Sequence, residues 1–400
     1  MRRLFAFRGR RAAVVAVIAL AAAVGAGAVF ADSGGSFDNP WPFNASGTSA
    51  AGSSPILAAV GDIACEPNDA ENAGNPTAVK CGSPALGGFD AEYATAHEAY
   101  AMKPAAVAIL GDEQYQVGKL SDFEQSYEQT WGGLKILERP SPGNHEYYAY
   151  TKKGDNEAAQ NGTGYFAYFN GHNQAGTPND EGQAGDDTAG AQGWYSYDVG
   201  KWHIISLNVE CASAAFNNDC STTDNGLLAS ETNWLAQDLA HNHSSCTLAY
   251  WHQPTFSSTV TPFTSDSAEG QAADAWWKLL YKRHATLVLN GHDHVYSRFA
   301  PMDPSGNADP HHGIREFIVG TGGESLDTLS QNTPNGTAAP NLQASTDQYY
   351  GVLKLTLKSN GYDWDFESAM VNPLAPANTQ GSYSDAGSGT CSGGGDQNEQ

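Results

Sequence analysis

The sequence predicts an α/β fold: a four-layer α/β/β/α sandwich in which helices flank two mixed sheets. Short apolar runs, bounded by turn residues, alternate along the chain with segments of helical pattern, which is typical of layered α/β domains. Three further apolar runs near the end follow one another without intervening helices, so a pair of mixed sheets is expected. The chain has 400 residues, of which 40% are hydrophobic, enough for one large domain with a sizeable core.

The predicted strands are short apolar runs, and the predicted helices are longer segments between them. Ser121 and Glu124 have the spacing of a capping box at the start of the second helix. The fourth helix ends in basic residues, which suit the negative end of a helix dipole. In chain order the predicted elements are strand Ile56–Val60, helix Ala91–Met102, strand Ala106–Leu110, helix Ser121–Leu134, strand Trp202–Leu207, helix Ser230–Asn242, strand Thr247–Trp251, helix Gln271–Arg283, and strands Ala285–Leu289, Arg315–Val319, Val352–Leu357 and Tyr362–Phe366.

Composition separates the two ends of the chain from one central domain at residues 55–373. Residues 1–31 combine a basic start with an apolar run and a small residue, Ala31, before Asp32, which predicts a signal peptide. An uncleaved membrane anchor is the alternative, and both general and twin-arginine export fit the segment. Residues 32–54 predict a flexible linker, and the Gly/Ser-rich residues 374–400 predict a loose tail.

Charge and cysteine content limit the classes of function. Lys and Arg number 20 against 44 Asp and Glu, a formal net charge of −24, so the basic track that grips nucleic acid phosphates is missing. The even number of cysteines, six, in an exported chain favours disulfides. Cys65 with Cys81 and Cys211 with Cys220 would close short loops and leave Cys246 for Cys391, although the spacing leaves other pairings open.

Five polar motifs stand where strands are predicted to end or the chain to turn. Open α/β sheets bind ligands beyond the carboxyl ends of their strands, so these motifs are expected to converge on one site. Their carboxylate and imidazole groups form a mixed set of oxygen and nitrogen donors, which suits Fe, Zn or Mn better than Ca or Mg. The motifs are Gly61-Asp62, Gly111-Asp112-Glu113-Gln114-Tyr115, Gly143-Asn144-His145-Glu146, His252 and Gly291-His292-Asp293-His294.

In this order the series GD…GDxxY…GNHE…H…GHxH resembles the motifs of the calcineurin-like metallophosphoesterases, and GDxxY resembles the purple acid phosphatase branch. Each motif alone is weak, because a lone Gly-Asp is more often a turn and a lone His252 more often a core histidine. As an ordered set from Asp62 to His294 the motifs are specific, and they make residues 55–373 the expected catalytic domain. Many relatives carry Asp-x-His at the first motif, whereas this chain has Ala64, and Tyr115 would replace the missing ligand.

The resemblance implies a site for two metal ions. A phenolate ligand favours a ferric ion, so the expected pair is Fe(III) with a divalent Fe, Zn or Mn ion. The implied ligands are Asp62, Tyr115 and His294 for the first ion, Asn144, His252 and His292 for the second, and Asp112 bridging both.

The resemblance also implies hydrolysis of phosphate esters by attack of a metal-bound hydroxide. His145 would be the catalytic group that protonates the leaving group or stabilises charge in the transition state, with Glu146 orienting its other ring nitrogen. No further histidine follows His252 closely. An outer acid is therefore either absent or supplied by the polar segment Ala149–Tyr197, where His172 is the best candidate for an extra substrate contact.

Together these features predict a phosphatase that acts on small phosphate monoesters. It is expected to be secreted, and association with the cell envelope is left open. No nucleic acid partner and no stable membrane association after signal cleavage are expected, and the sequence does not determine the oligomeric state. A phosphodiesterase or nucleotidase with the same metal centre is the alternative. A non-catalytic surface binding protein on this fold is an alternative of another class, which the intact set of ligands and His145 disfavours.

Overall fold

The computed structural model describes residues 53–67, 91–152, 155–171, 184, 192–260, 267–332, 337–371 and 381–391. Residues 1–31, most of the expected linker, Cys81 and His172 lie outside these ranges, so the predictions made for them stay predictions. Within the described ranges, no helix has both the length and the apolar character needed to span a bilayer.

Two mixed sheets form the centre of the fold and confirm the predicted fold class. The six-stranded sheet has the order β15-β14-β13-β1-β2-β3, and the seven-stranded sheet has the order β12-β10-β11-β9-β8-β7-β6. The strands are β1 Ile56–Val60, β2 Ala106–Ile109, β3 Glu138–Pro140, β4 Tyr150–Lys152, β5 Asp155–Glu157, β6 Tyr195–Val199, β7 Trp202–Ser206, β8 Cys246–Tyr250, β9 Leu287–Asn290, β10 Tyr296–Phe299, β11 Arg315–Val319, β12 Leu342–Thr346, β13 Tyr349–Lys358, β14 Gly361–Val371 and β15 Ser384–Thr390.

Three of the four predicted helices, observed as α1, α6 and α7, begin and end close to their predicted positions. The α-helices are α1 Ala91–Ala101, α2 Leu120–Gln125, α3 Tyr127–Thr130, α4 Asn144–Tyr147, α5 Thr163–Asn170, α6 Leu227–His241 and α7 Ala268–Lys282, and short 3₁₀ helices cover Trp131–Leu137, Ala214–Phe216 and Ser330–Asn332.

The core lies in two layers because neighbouring side chains of a strand point to opposite faces. Ile204 and Leu248 face the other sheet and join its residues, such as Leu57, in the central core. Their chain neighbours Ile205 and Ala249 face outwards, where α6 and α7 cover them with apolar side chains. One sheet face therefore packs on a sheet and the other on helices, as a layered sandwich requires.

Parallel strand pairs bring the candidate motifs to one edge of each sheet. β1, β2 and β3 run parallel to one another in the first sheet. β7, β8, β9 and β11 run parallel in the second sheet. Since parallel strands share the direction of their carboxyl ends, the loops after them open on a common edge.

The predicted helix Ser121–Leu134 is wrong in its extent. The structure breaks it into α2, α3 and the 3₁₀ helix Trp131–Leu137. Gly132 and Gly133 lie in this stretch, and glycine is a poor helix former. The expected capping box is also absent: the N-cap is Lys119, and Ser121 donates its hydroxyl to Asp122.

Two regions that were expected to be irregular contain regular structure. Part of the expected loose tail forms β15, which pairs with β14 so that Gly387 faces Trp364 and Gly389 faces Tyr362. A side chain on either glycine would overlap the aromatic ring opposite, so the glycines make room for these rings. The expected loop Ala149–Tyr197 contains β4, β5 and α5.

Two of the three expected disulfides are present. Cys211 pairs with Cys220, and Cys246 pairs with Cys391. Cys391 follows directly after β15 and Cys246 begins β8, so this second disulfide ties the end of the first sheet to the second sheet. The third expected pair includes Cys81, which is outside the described residues.

Candidate metal centre

The structure brings all seven predicted ligands and His145 together at the carboxyl ends of the strands. The loops after β1, β2, β3, β8 and β9 carry them, so both sheets contribute. In the loop after β3, Gly143 is the N-cap of the short helix α4. β3 itself was not predicted, because three residues, one of them a proline, give no clear apolar run.

Four oxygen and nitrogen donors form the first group of the cluster. The Tyr115 hydroxyl lies 3.0 Å from Asp62 Oδ1, 3.1 Å from Asp112 Oδ2 and 3.0 Å from His294 Nε2. His294 Nε2 is in turn 3.2 Å from Asp62 Oδ1. Asp62, Asp112 and His294 are close enough to hold one metal ion together.

The second group shares Asp112 with the first. His252 Nε2 lies 3.1 Å from Asp112 Oδ2, the same oxygen that Tyr115 approaches. Asn144 Oδ1 is 3.2 Å from His252 Nε2 and 2.9 Å from His292 Nδ1. Asp112, His252 and His292 could hold a second metal ion, so Asp112 occupies the position of a bridge.

The orientation of the imidazoles fits metal binding. His252 Nδ1 lies 2.8 Å from the carbonyl oxygen of Leu110, and His294 Nδ1 lies 2.7 Å from that of Ser325. A carbonyl oxygen accepts an N–H bond, so in both rings Nδ1 carries a proton and Nε2 is the atom left to bind a metal ion. Metal-binding histidines are held in this way by hydrogen bonds from their outer nitrogen.

Left-handed backbone conformations place three of the candidate ligands. Asp62 has φ 60°, Asp112 φ 49° and His292 φ 67°, values that cost a non-glycine residue about 1 kcal/mol or more. Gly143 makes the turn at Asp112 possible, because a Cβ there would overlap the Asp112 backbone and carboxylate. Strain concentrated on the residues of one cluster points to a functional site.

Burial and neighbouring charges shift the pKa values of the side chains in the cluster in opposite directions. Burial alone would raise the pKa of the Asp112 carboxyl, but the charges of His252 and His145 hold it well below its usual range. Burial lowers the pKa of His252, yet the Asp112 carboxylate raises it to a net value of about 10. Burial and the charge of His252 lower the pKa of His292 to about 3. The Asp112 carboxylate that raises the pKa of His252 would also attract a cation, and binding of a metal ion to the imidazole would release a proton.

Tyr115 can act as a ligand only opposite a cation. Its ring is 2% exposed, and burial together with the charges of Asp112 and Asp62 raises the pKa of its hydroxyl well above the usual value. A phenolate at this place would face two carboxylates, so it would require positive charge at the centre of the group. The donor set therefore fits two metal ions, one of them bound in part by a phenol oxygen.

His145 lies beside the cluster without joining it. Its backbone N–H donates to Asp112 Oδ1 at 2.8 Å, and its Nε2 lies 4.0 Å from Asp112 Oδ2. The Tyr115 ring is 4.2 Å away between centroids. The side chain is 22% exposed, which leaves the ring accessible to a substrate at the cluster.

The expected role of Glu146 is wrong. His145 Nδ1 donates instead to the backbone carbonyl of Gln116, at 2.7 Å. The fully buried Glu146 carboxylate accepts three backbone N–H bonds, from Asp112 at 3.1 Å, Gln114 at 3.1 Å and Gly143 at 2.9 Å. Because these donors belong to two motifs, Glu146 fixes the loop after β2 against the loop after β3.

Comparison with known proteins agrees with this geometry. The family model described as calcineurin-like phosphoesterase matches residues 57–296, which is more than half of the chain. No curated protein matches the sequence significantly.

Three solved structures share the fold at low sequence identity. A purple acid phosphatase, PPD1, from yellow lupin (Lupinus luteus) seeds has a TM-score of 0.56 and 17% identity, with 86% of this chain and 54% of that chain covered. The chain therefore spans about half the length of that protein. PhoD has a TM-score of 0.54 and 14% identity, with coverage of 86% and 71%. GAP50, the anchor in the inner membrane complex of Plasmodium, has 0.52 and 14%, with 79% and 85% covered.

Such low identities show the fold, whereas the family match extends through the motifs that carry the cluster. Members of this family are phosphoesterases whose fold implies two metal ions, and the two groups that share Asp112 are the candidate sites for them. The chain belongs to the calcineurin-like phosphoesterase family.

Proposed function

We propose that this protein is an exported phosphatase that hydrolyses small phosphate monoesters at a two-metal centre. One observation carries the proposal: seven donor side chains from five separate loops meet in two groups that share the Asp112 carboxylate, with His145 beside them. The ligands would be those expected from the sequence: Asp62, Tyr115 and His294 for one ion, Asn144, His252 and His292 for the other, and Asp112 for both.

The protein's own groups suit ester hydrolysis. Two metal ions, when bound, would lower the pKa of a water and neutralise the phosphoryl oxygens. Hydrolysis forms a bond between a water oxygen and phosphorus and breaks the bond from phosphorus to the leaving oxygen, which takes up a proton. The His145 tautomer is set by its Nδ1–H bond to the Gln116 carbonyl. Its Nε2 is then the atom that, once protonated, donates to the leaving oxygen.

We further propose Fe(III) for the ion beside Tyr115 and a divalent Fe, Zn or Mn ion for the other. A buried phenol oxygen between two carboxylates favours a highly charged, oxygen-preferring cation. The second group offers two imidazole nitrogens, an amide oxygen and one shared carboxylate, a softer set that suits a divalent transition metal.

The charge and the disulfides support the remaining parts of the proposal. A net charge of −24 opposes binding of polyanionic nucleic acids, while two nearby cations dominate the field felt by a small phosphate ester. The disulfides Cys211–Cys220 and Cys246–Cys391 are typical of proteins that fold in an oxidising compartment, which supports export.

Two other functions are compatible with this site. A phosphodiesterase or nucleotidase would use the same ligands, so the metal centre alone does not exclude it. A non-catalytic binding protein on this fold is the alternative of another class. The likeness to a protein described as an anchor is the observation in its favour. The clustered ligands argue for catalysis, because strained aspartates would bring no advantage to a purely structural surface.

Turnover of 4-nitrophenyl phosphate and of bis(4-nitrophenyl) phosphate tests the proposal. We expect a higher kcat/KM for the monoester, and loss of activity when a chelator removes the metal ions. An Asp112→Asn variant, which loses the shared ligand charge, serves as the control for contaminating phosphatases. Preference for the diester would reverse the assignment, and metal-loaded protein that hydrolyses neither ester would favour the binding protein.

A further inference from the structure

The hairpin formed by β4 and β5 stands beside the candidate catalytic histidine. Tyr150 begins β4 and pairs directly with Glu157 at the end of β5. The Tyr150 and His145 rings are 6.3 Å apart between centroids, with an angle of 45° between their planes. Tyr150 is not one of the candidate metal ligands.

The hairpin is attached to the loop that carries Tyr115. Glu157 forms an ion pair with Lys119, which lies four positions after Tyr115 in the chain. Lys119 is also 4.0 Å from Asp122 in α2. Because Glu157 is the cross-strand partner of Tyr150, this contact holds the tyrosine side of the hairpin next to the site.

Tyr150 differs from the two other tyrosines that follow His145. Tyr147 is fully buried, and its hydroxyl accepts a hydrogen bond from Asn208 Nδ2 at 2.9 Å. Tyr148 donates its hydroxyl to Glu269 Oε1 in α7 at 3.0 Å. Tyr150 is partly exposed, as Tyr148 is, but its ring stands by the ring of His145.

We infer that Tyr150 forms the wall of the leaving-group subsite and makes the enzyme prefer phosphate esters of planar aromatic alcohols. This inference rests on the proposed function, in which His145 Nε2 protonates the leaving oxygen. The rest of the leaving group must then lie within a few ångströms of the His145 ring, where the Tyr150 ring stands. An aromatic group there can stack on Tyr150 or meet its edge, and such pairs favour binding beyond simple apolar contact.

Benzyl phosphate and cyclohexylmethyl phosphate test this inference because their leaving alcohols are similar in size and basicity but only one is planar. We expect the wild-type kcat/KM to favour benzyl phosphate by about 3- to 10-fold, the range that one aromatic pair supplies. Tyr150→Leu should lower this ratio to about one, and Tyr150→Phe should keep it, since the ring and not the hydroxyl makes the contact.

Tyr281→Leu is the matched control. Tyr281 is a partly exposed tyrosine near the end of α7 that donates its hydroxyl to Asp309, and its replacement should leave the ratio unchanged. Unfolding midpoints measured for every variant show whether each has folded. An unchanged ratio in folded Tyr150→Leu, with both esters hydrolysed, would overturn the inference and leave the phosphatase proposal intact. Failure of the wild-type enzyme on both esters would instead count against the phosphatase proposal.

Discussion

Single residues fix the positions of the candidate metal ligands. Glu146 does so through backbone contacts with two loops that carry ligands. Its two carboxylate oxygens hold the backbone N–H groups of Asp112, Gln114 and Gly143. A change at Glu146 therefore displaces the shared ligand and the turn before Asn144 together. The pattern Gly-Asn-His-Glu identified the residue from the sequence, but its partners could not be predicted, because two of them lie more than thirty positions earlier in the chain.

Glu146→Gln should reduce metal content as well as activity. The glutamine amide would present N–H donors to backbone N–H donors, and each buried donor left without an acceptor costs about 1–3 kcal/mol. We expect less than half of the wild-type metal content per chain, a lower unfolding midpoint and a large fall in kcat/KM. The control is Glu231→Gln, another fully buried glutamate, whose Oε1 accepts the N–H of Asn208 away from the cluster. Equal metal loss in both variants would contradict a specific role for Glu146.

At the scale of elements, the sequence predicted those parts of the fold that its local pattern determines. β1, β7, β8, β11 and most of α6 and α7 lie where apolar runs or helical patterns placed them. α5 escaped prediction because nearly all its side chains are buried, so it lacks the polar face that marks a surface helix. β15 escaped because its glycines and serines are typical of a linker, and its place in the sheet depends on aromatic rings of β14 and on the Cys246–Cys391 disulfide.

Side-chain hydrogen bonds join α6 to the β6–β7 hairpin, away from the metal centre. His203 Nε2 lies 2.7 Å from Asp238 in α6, and its Nδ1 lies 3.0 Å from Asp198 in β6. Ser196 also donates to Asp238, at 2.8 Å. The contact borders a cavity of about 720 Å³ that contains no candidate metal ligand and that Lys201, His241 and His243 also line.

This contact should make stability depend on pH. Burial lowers the pKa of His203, but the hydrogen bonds to Asp238 and Asp198 outweigh it and raise the pKa above its usual value. A raised folded pKa adds stability that is complete below about pH 6.5, the usual pKa of histidine, and that disappears as pH rises through the folded pKa. His203→Gln should therefore cost more stability at pH 5.5 than at pH 9.

Urea unfolding of wild type and variant at both pH values measures this difference. His243→Gln is the control, since His243 is exposed on the same cavity. An equal loss of stability at both pH values in His203→Gln would show that the charged contact contributes nothing. The other ionisable side chains that line the cavity are unchanged in both variants and so cancel in the comparison.

At the scale of the whole molecule, the fold converts sequence separation into proximity. The ligands extend from Asp62 to His294, and the two sheets bring them within hydrogen-bonding distance of one another at one edge. The sequence predicted which residues meet, because five motifs in a fixed order each follow a strand or turn. It could not predict how they meet: the left-handed conformations of Asp62 and Asp112 and the outer hydrogen bonds of the histidines arise only in the folded chain.

The metal content of the purified protein, measured together with its visible absorption spectrum, tests the central claim most directly. We predict two metal ions per chain, with iron among them, and a charge-transfer band from a tyrosinate bound to Fe(III) that disappears in Tyr115→Phe. Asp112→Asn should lose metal ions from both groups, because its carboxylate is the one they share. A fully active enzyme that contains a single metal ion or none would contradict the two-metal centre, and an active, colourless enzyme with two metal ions but no iron would contradict the Tyr115–iron pair alone.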